Sequence, residues 1–143
     1  MKLVKIVTVL LSLIALMTGA MDVIVGVSGQ ANIGVGAAAA APIDPVLDSQ
    51  VRFLGAIWLG FGAIQLVCLN DIRRYGTLLQ LCYAITVIGG IGRVLSLLQI
   101  GWPTANVGPT FIIVALTFEL LLVPLAWLAL RKAFSATEKG LAR

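Results

Sequence analysis

The sequence predicts an all-α integral membrane protein, a single domain of four transmembrane helices over residues 1–143. Three observations predict it. Apolar residues make up 60% of the chain and charged residues 11%, whereas soluble domains carry about a quarter charged residues. Mean hydropathy is +1.08. The apolar residues gather into four long runs, each near the ~20 helical residues needed to cross a hydrocarbon core, and the charges fall mostly between them. Such a pattern excludes a disordered chain, a coiled coil and a nucleic-acid-binding module, so the net charge of +4 needs no acidic partner.

The runs place helices at about 6–27, 50–69, 76–99 and 109–130, with an extracytoplasmic loop over 28–49. In the first, Lys2 and Lys5 precede an apolar stretch, and Thr18-Gly19-Ala20 resembles a signal-peptide cleavage site. Apolar character continues to Val27, longer than a signal core, which favours a retained helix. Asp44-Pro45 has the form of an N-cap followed by a first-turn proline, so the second helix can begin ahead of its apolar run. Asn70-Asp71 closes that helix and is placed to cap the third, which Gly101 and Pro103 stop. Gly108-Pro109 opens the fourth, and Pro124 should bend it. The stretch from Ser28 to Ala41 is low-complexity and carries no motif.

Lys2, Lys5, Arg73, Arg74, Arg131, Lys132, Lys139 and Arg143 all fall on one side of this topology, and the opposite loops contain no Lys or Arg. The bias of Lys and Arg toward the cytoplasm puts both termini inside, in what is expected to be a bacterial inner membrane. The chain has no His, which removes the usual proton shuttle and the commonest metal ligand, so no metal site is expected. Cys68 and Cys82 lack C-x-x-C spacing and read as buried free thiols. Gln65 and Gln80 suit hydrogen bonds between helices, and Trp58, Trp102 and Trp127 suit the core or the interfacial belt.

The helices are more informative where they are not apolar. On helix 1, Thr8, Ser12, Ala15, Gly19, Asp22 and Gly26 recur at steps of four and three, one face of small or polar residues. Asp48, Arg52, Gly55, Leu59 and Gly62 do so on helix 2, and Cys82, Thr86, Gly89, Arg93 and Ser96 on helix 3; helix 4 offers Ile112, Ala115, Glu119, Leu122 and Ala126. Membrane helices associate through small residues, so these stripes should meet, with Gly19, Gly55, Gly62, Gly89 and Gly92 in the seams.

Each stripe carries a charge: Asp22, Arg52, Arg93 or Glu119. At the bilayer centre such a group costs at least ~2.5–3.5 kcal/mol, so it must face the interior or an aqueous cavity, and preferably find a partner. Helical rise puts Asp22 and Arg93 at similar depth, and Glu119 near the midplane about 10 Å from Arg93 along the normal. Helical Cβ atoms lean toward the N-terminus, so Arg93 and Glu119 on oppositely running helices lean toward each other. The expectation is a cluster in which Arg93 holds Glu119 and shares its guanidinium with Asp22, while Arg52 pairs with Asp48 one turn earlier.

Asp48-Ser49-Gln50-Val51-Arg52-Phe53-Leu54-Gly55-Ala56 with Trp58 and Gly62, Gly89-Gly90-Ile91-Gly92-Arg93 with Ser96, Gly101-Trp102-Pro103, and Glu119 together resemble a family of small four-span bacterial inner-membrane proteins catalogued as a domain of unknown function. The resemblance implies the four-helix membrane fold and draws attention to Arg52, Arg93 and Glu119; it implies no activity. The expected function is non-enzymatic: a binding or accessory module whose polar site, with Asp22, Arg52, Arg93, Ser96 and Glu119 as ligand-binding candidates, takes a membrane lipid, a quinone or other small amphipathic ligand, or a partner subunit or second copy. The alternatives are a proton-coupled transporter with Glu119 as carrier carboxylate and a membrane isomerase or hydrolase using Asp22 and Glu119. No catalytic set or cofactor motif stands out in the sequence.

Overall fold

The computed structural model describes residues 1–32, 43–104 and 107–141, apart from the side chains of 31–32 and 136–141. The low-complexity residues 33–42 and the side chains of Lys139 and Arg143 lie outside that description. The described residues form α1 (Lys2–Val25), α2 (Val27–Asn32), α3 (Pro45–Asn70), α4 (Gly76–Ile100), α5 (Gly108–Thr117), a π-helical turn (Phe118–Leu122) and α6 (Val123–Leu141). No strand occurs among them. Four stretches are long and apolar enough to cross a membrane: Lys2–Val25, Pro45–Asn70, Gly76–Ile100 and Gly108–Ser135, the last made of α5, the π turn and most of α6.

The helix boundaries follow local chemistry. Asp44 caps α3 by accepting the Val46 N–H at 2.8 Å, ahead of the apolar run. Gly101, at φ 105°, ends α4, and its N–H bonds the Leu97 carbonyl at 3.0 Å. Asp71 caps the turn instead of α4: its carboxylate takes the Arg74 N–H at 3.0 Å, and Tyr75 stands at the N-cap without a side-chain bond. Two expectations change. Part of the expected 28–49 loop is helical, as α2, and the disturbance assigned to Pro124 appears as a π turn on its N-terminal side. Pro124 has no N–H for the Leu120 carbonyl, and the ladder widens so that Val123 N–H bonds Phe118 O five residues back.

The hydrophobic core lies toward the end that carries the start of α1, α6 and the α3–α4 turn. Val4, Val7 and Leu11 of α1 meet Cys68 of α3, Ile72 of the α3–α4 turn, Leu79 and Tyr83 of α4, and Val123, Ala126 and Leu130 of α6. Most polar groups buried there bond locally or across helices, while Gln65 Nε2 is buried with no hydrogen-bond partner among the described residues. Thr8 Oγ bonds the Val4 carbonyl at 2.7 Å and Tyr83 Oη at 2.6 Å, and Ser12 Oγ donates to Thr8 O at 2.7 Å. Gln65 Oε1 accepts from Ser12 at 3.4 Å, and Gln80 Oε1 accepts from Trp127 Nε1 at 3.2 Å, so both glutamines bridge helices. Cys68 and Cys82 are buried free thiols. Large apolar side chains cover the outside, Met17, Ile24, Ile88 and Leu98 among them, as a lipid-facing surface requires.

α1 and α3 pack along most of their length through glycines. A Cβ at Gly19 would stand 2.6 Å from Leu59 N and 2.7 Å from Gly55 O, and one at Gly62 would stand 2.9 Å from Ser12 O. α4 meets the fourth span at Gly90 and, near the basic end, at Gly76, which faces Phe134. The molecule is therefore two helix pairs joined through the core at one end. Replacing Gly19 with Ala should force the α1 and α3 backbones apart and cost about 1–3 kcal/mol. Gly60→Ala, where an added Cβ meets nothing within 4 Å, should leave thermal unfolding in detergent unchanged or slightly raise its midpoint; equal midpoints for the two variants would refute the close approach.

Candidate functional site

Away from the shared core the two pairs leave a cleft of about 520 Å³ between α1, α2, α3, α4 and the fourth span. It follows α1 from Leu11 to Asp22, about 16 Å at the helical rise. Its deeper walls are apolar, with Ile14, Leu54, Ile85, Val114 and Phe118; Asp22, Gln30, Arg93 and Glu119 bring polar groups to it. Trp58 also lines it, stacked on Phe61 at 5.2 Å between centroids and donating its indole N–H to Thr18 Oγ at 2.9 Å.

Arg93 and Glu119 meet as the lean of their side chains requires. Arg93 Nε donates to both carboxylate oxygens of Glu119, each at 3.0 Å, and the guanidinium lies 5.3 Å from the centre of the Phe111 ring. Glu119 is 8% exposed. Three local features bring it there. The π turn contains Glu119 itself and shifts the helical face that follows. Gly90 lets α4 come close, since a Cβ there would stand 2.9 Å from Glu119 Cβ. Phe111 and Ala115 precede Glu119 at four-residue steps on the wall of the cleft.

Asp22 departs from expectation. It makes no ion pair with Arg93; its Oδ1 accepts the Gln30 amide at 3.2 Å, and it faces the same cleft from the α1 wall. The glycine contacts hold α1 against α3, and the cleft keeps its carboxylate away from the guanidinium. Gln30 reaches Asp22 because the chain turns at Gly26, whose φ of 65° and ψ of −147° suit glycine almost alone.

The expected Asp48–Arg52 pair forms, at 2.7 Å, and acts as a clamp on that turn. Arg52 Nη1 donates to Val23 O at 2.8 Å and Ile24 O at 3.0 Å, two terminal carbonyls of α1, and Asp48 Oδ1 accepts the first N–H of α2, from Val27, at 3.0 Å. A cation at a helix C-terminus and an anion at an N-terminus both complement the exposed backbone groups. Any Cβ at Gly26 would run into the Asp48 carboxylate. Asp48 and Arg52 thus position α2 and Gln30, and neither lines the cleft.

Two more expectations are corrected. Ser96 is exposed and does not line the cleft. Gly89 and Gly92 make no seam within the chain, because an added Cβ at either meets nothing within 4 Å; the seam residue is Gly90, and Gly89 forms part of the cleft wall. Sequence reasoning missed Gln30, Phe111 and Gly90. Phe111 was readable from its spacing of eight from Glu119, and Gly90 from the Gly89-Gly90 doublet once the face of Arg93 is fixed one residue away.

Arg93→Leu removes the partner of a buried carboxylate and should cost about 3–5 kcal/mol, measured by unfolding in detergent. The double variant Arg93→Leu with Glu119→Leu should recover most of that loss. Additive losses would mean that the two side chains do not act as a pair.

Comparison with curated proteins and with solved structures finds no match for this chain. A family model described as Domain of unknown function (DUF4345) matches residues 3–130, which covers most of each of the four membrane-capable stretches and every group at the cleft. The chain belongs to the DUF4345 family.

Proposed function

We propose that this chain is a non-enzymatic membrane protein that binds one amphiphile, a lipid or quinone, in the cleft between its two helix pairs. One observation carries the reading: a cleft of about 520 Å³ that is apolar over most of its depth and holds Arg93, Glu119 and Asp22 together. Ligand sites are typically concave, of roughly 300–1,000 Å³, mostly apolar, with a few convergent polar groups. The ligand's tail lies along Ile14, Ile85 and Phe118, and its head lies at the polar end of the cleft, beside Asp22.

The orientation that goes with this reading puts both termini and the Arg73-Arg74 turn on the cytoplasmic side of a bacterial inner membrane, following the placement of Lys and Arg. The head-group end then faces the opposite leaflet. A proton-carrier role for Glu119 has less support, because a carrier must break the contact that Arg93 makes with both its oxygens.

Trp58 provides the reporter. With Trp102 and Trp127 replaced by Phe, a brominated fatty alcohol should quench Trp58 fluorescence saturably in detergent-solubilised protein. Gly89→Leu places a side chain in the cleft without meeting any existing atom within 4 Å at Cβ, and it should weaken quenching about tenfold or more at unchanged thermal stability. Quenching that never saturates, or that ignores Gly89→Leu, would overturn the proposal.

A further inference from the structure

The charges around the cleft do not balance, and this identifies the kind of head group. Building on the amphiphile reading, we infer that the occupant carries a cationic head, an ammonium group, which pairs with Asp22. Arg93 is already neutralised, since its Nε lies 3.0 Å from each oxygen of Glu119. Arg52, the other cation at this end, is held by Asp48 at 2.7 Å and by two carbonyls of α1. Asp22 has the Gln30 amide, a neutral donor, through one oxygen, and no cation among the described residues.

The sum over the whole end gives the same answer from the sequence alone. Arg52 and Arg93 supply two positive charges, and Asp22, Asp44, Asp48 and Glu119 supply four negative ones. Residues 33–42 and 105–106 contain no ionisable side chain, so nothing in those segments alters the balance. Of the two acids in excess, Asp44 is spent capping α3, which leaves Asp22 on the cleft wall. A half-buried carboxylate on a cleft wall, bonded only to a neutral amide, gains from a cation within a few ångströms. An anionic head would meet Asp22 and Glu119 together and find in Arg93 a cation that is already paired.

The test displaces the brominated fatty alcohol from Trp58 with three ligands of equal chain length: dodecylamine, dodecanol and dodecanoate. The amine should compete at about tenfold lower concentration than the alcohol, with dodecanoate the weakest. Asp22→Asn should bring the amine to the level of the alcohol. Equal competition by amine and alcohol in the wild type, a preference for dodecanoate, or a preference for the amine that survives Asp22→Asn would each overturn the cationic assignment while leaving an amphiphile cleft in place. Absence of any saturable alcohol binding would instead remove the cleft reading itself.

Discussion

A carboxylate as buried as Glu119, 8% exposed, keeps its charge best against a cation, and its contact with Arg93 is the constraint around which the rest of the molecule is arranged. Holding it requires α4 to approach the fourth span closely, which Gly90 permits. It also requires Glu119 to face that helix, and the π turn around it contributes to this. The fourth span is thereby tied to α4 above the core. α1 is tied instead to α3, through backbone contacts at Gly19, Gly55 and Gly62 that no larger residue would allow. Two pairs, each closed on itself and joined through a common core at the basic end, leave a cleft between them at the other.

The Asp48–Arg52 pair shows how charges at a membrane boundary serve architecture. Read as surface ions, they would be interfacial anchors of little energetic consequence. In the fold they satisfy backbone groups on both sides of the break at Gly26, the carbonyls that end α1 and the N–H that begins α2. The outcome is positional: α2 folds back so that Gln30 reaches Asp22. Asp22 is then the carboxylate on the cleft wall that no cation among the described residues answers, and the asymmetry of the polar end comes from this arrangement.

The four spans were legible because bilayer thickness imposes length and hydropathy, and the Asp44 cap because its chemistry is local. The Arg93–Glu119 contact was legible from the lean of Cβ on oppositely running helices. The rest depended on quantities that periodicity does not encode. Apolar residues run unbroken through Val23, Ile24 and Val25 to Val27, so hydropathy does not register the break that the dihedral angles of Gly26 impose. A stripe counted at steps of three and four tolerates an error of one residue, which is the difference between Gly89 on the cleft wall and Gly90 in the seam. The sharing of Arg93 with Asp22 presumed four helices equally close throughout, whereas the glycine seam of α1 and α3 draws Asp22 to the other wall.

Solid-state NMR on protein reconstituted in lipid bilayers tests the central contact directly, by dipolar recoupling between ¹⁵Nε of Arg93 and the side-chain ¹³C carboxylate of Glu119. With Nε 3.0 Å from both carboxylate oxygens, a strong coupling is expected, and it should persist when Asp22 is replaced by Asn. Absence of that coupling, or its transfer to the carboxylate of Asp22, would contradict the account.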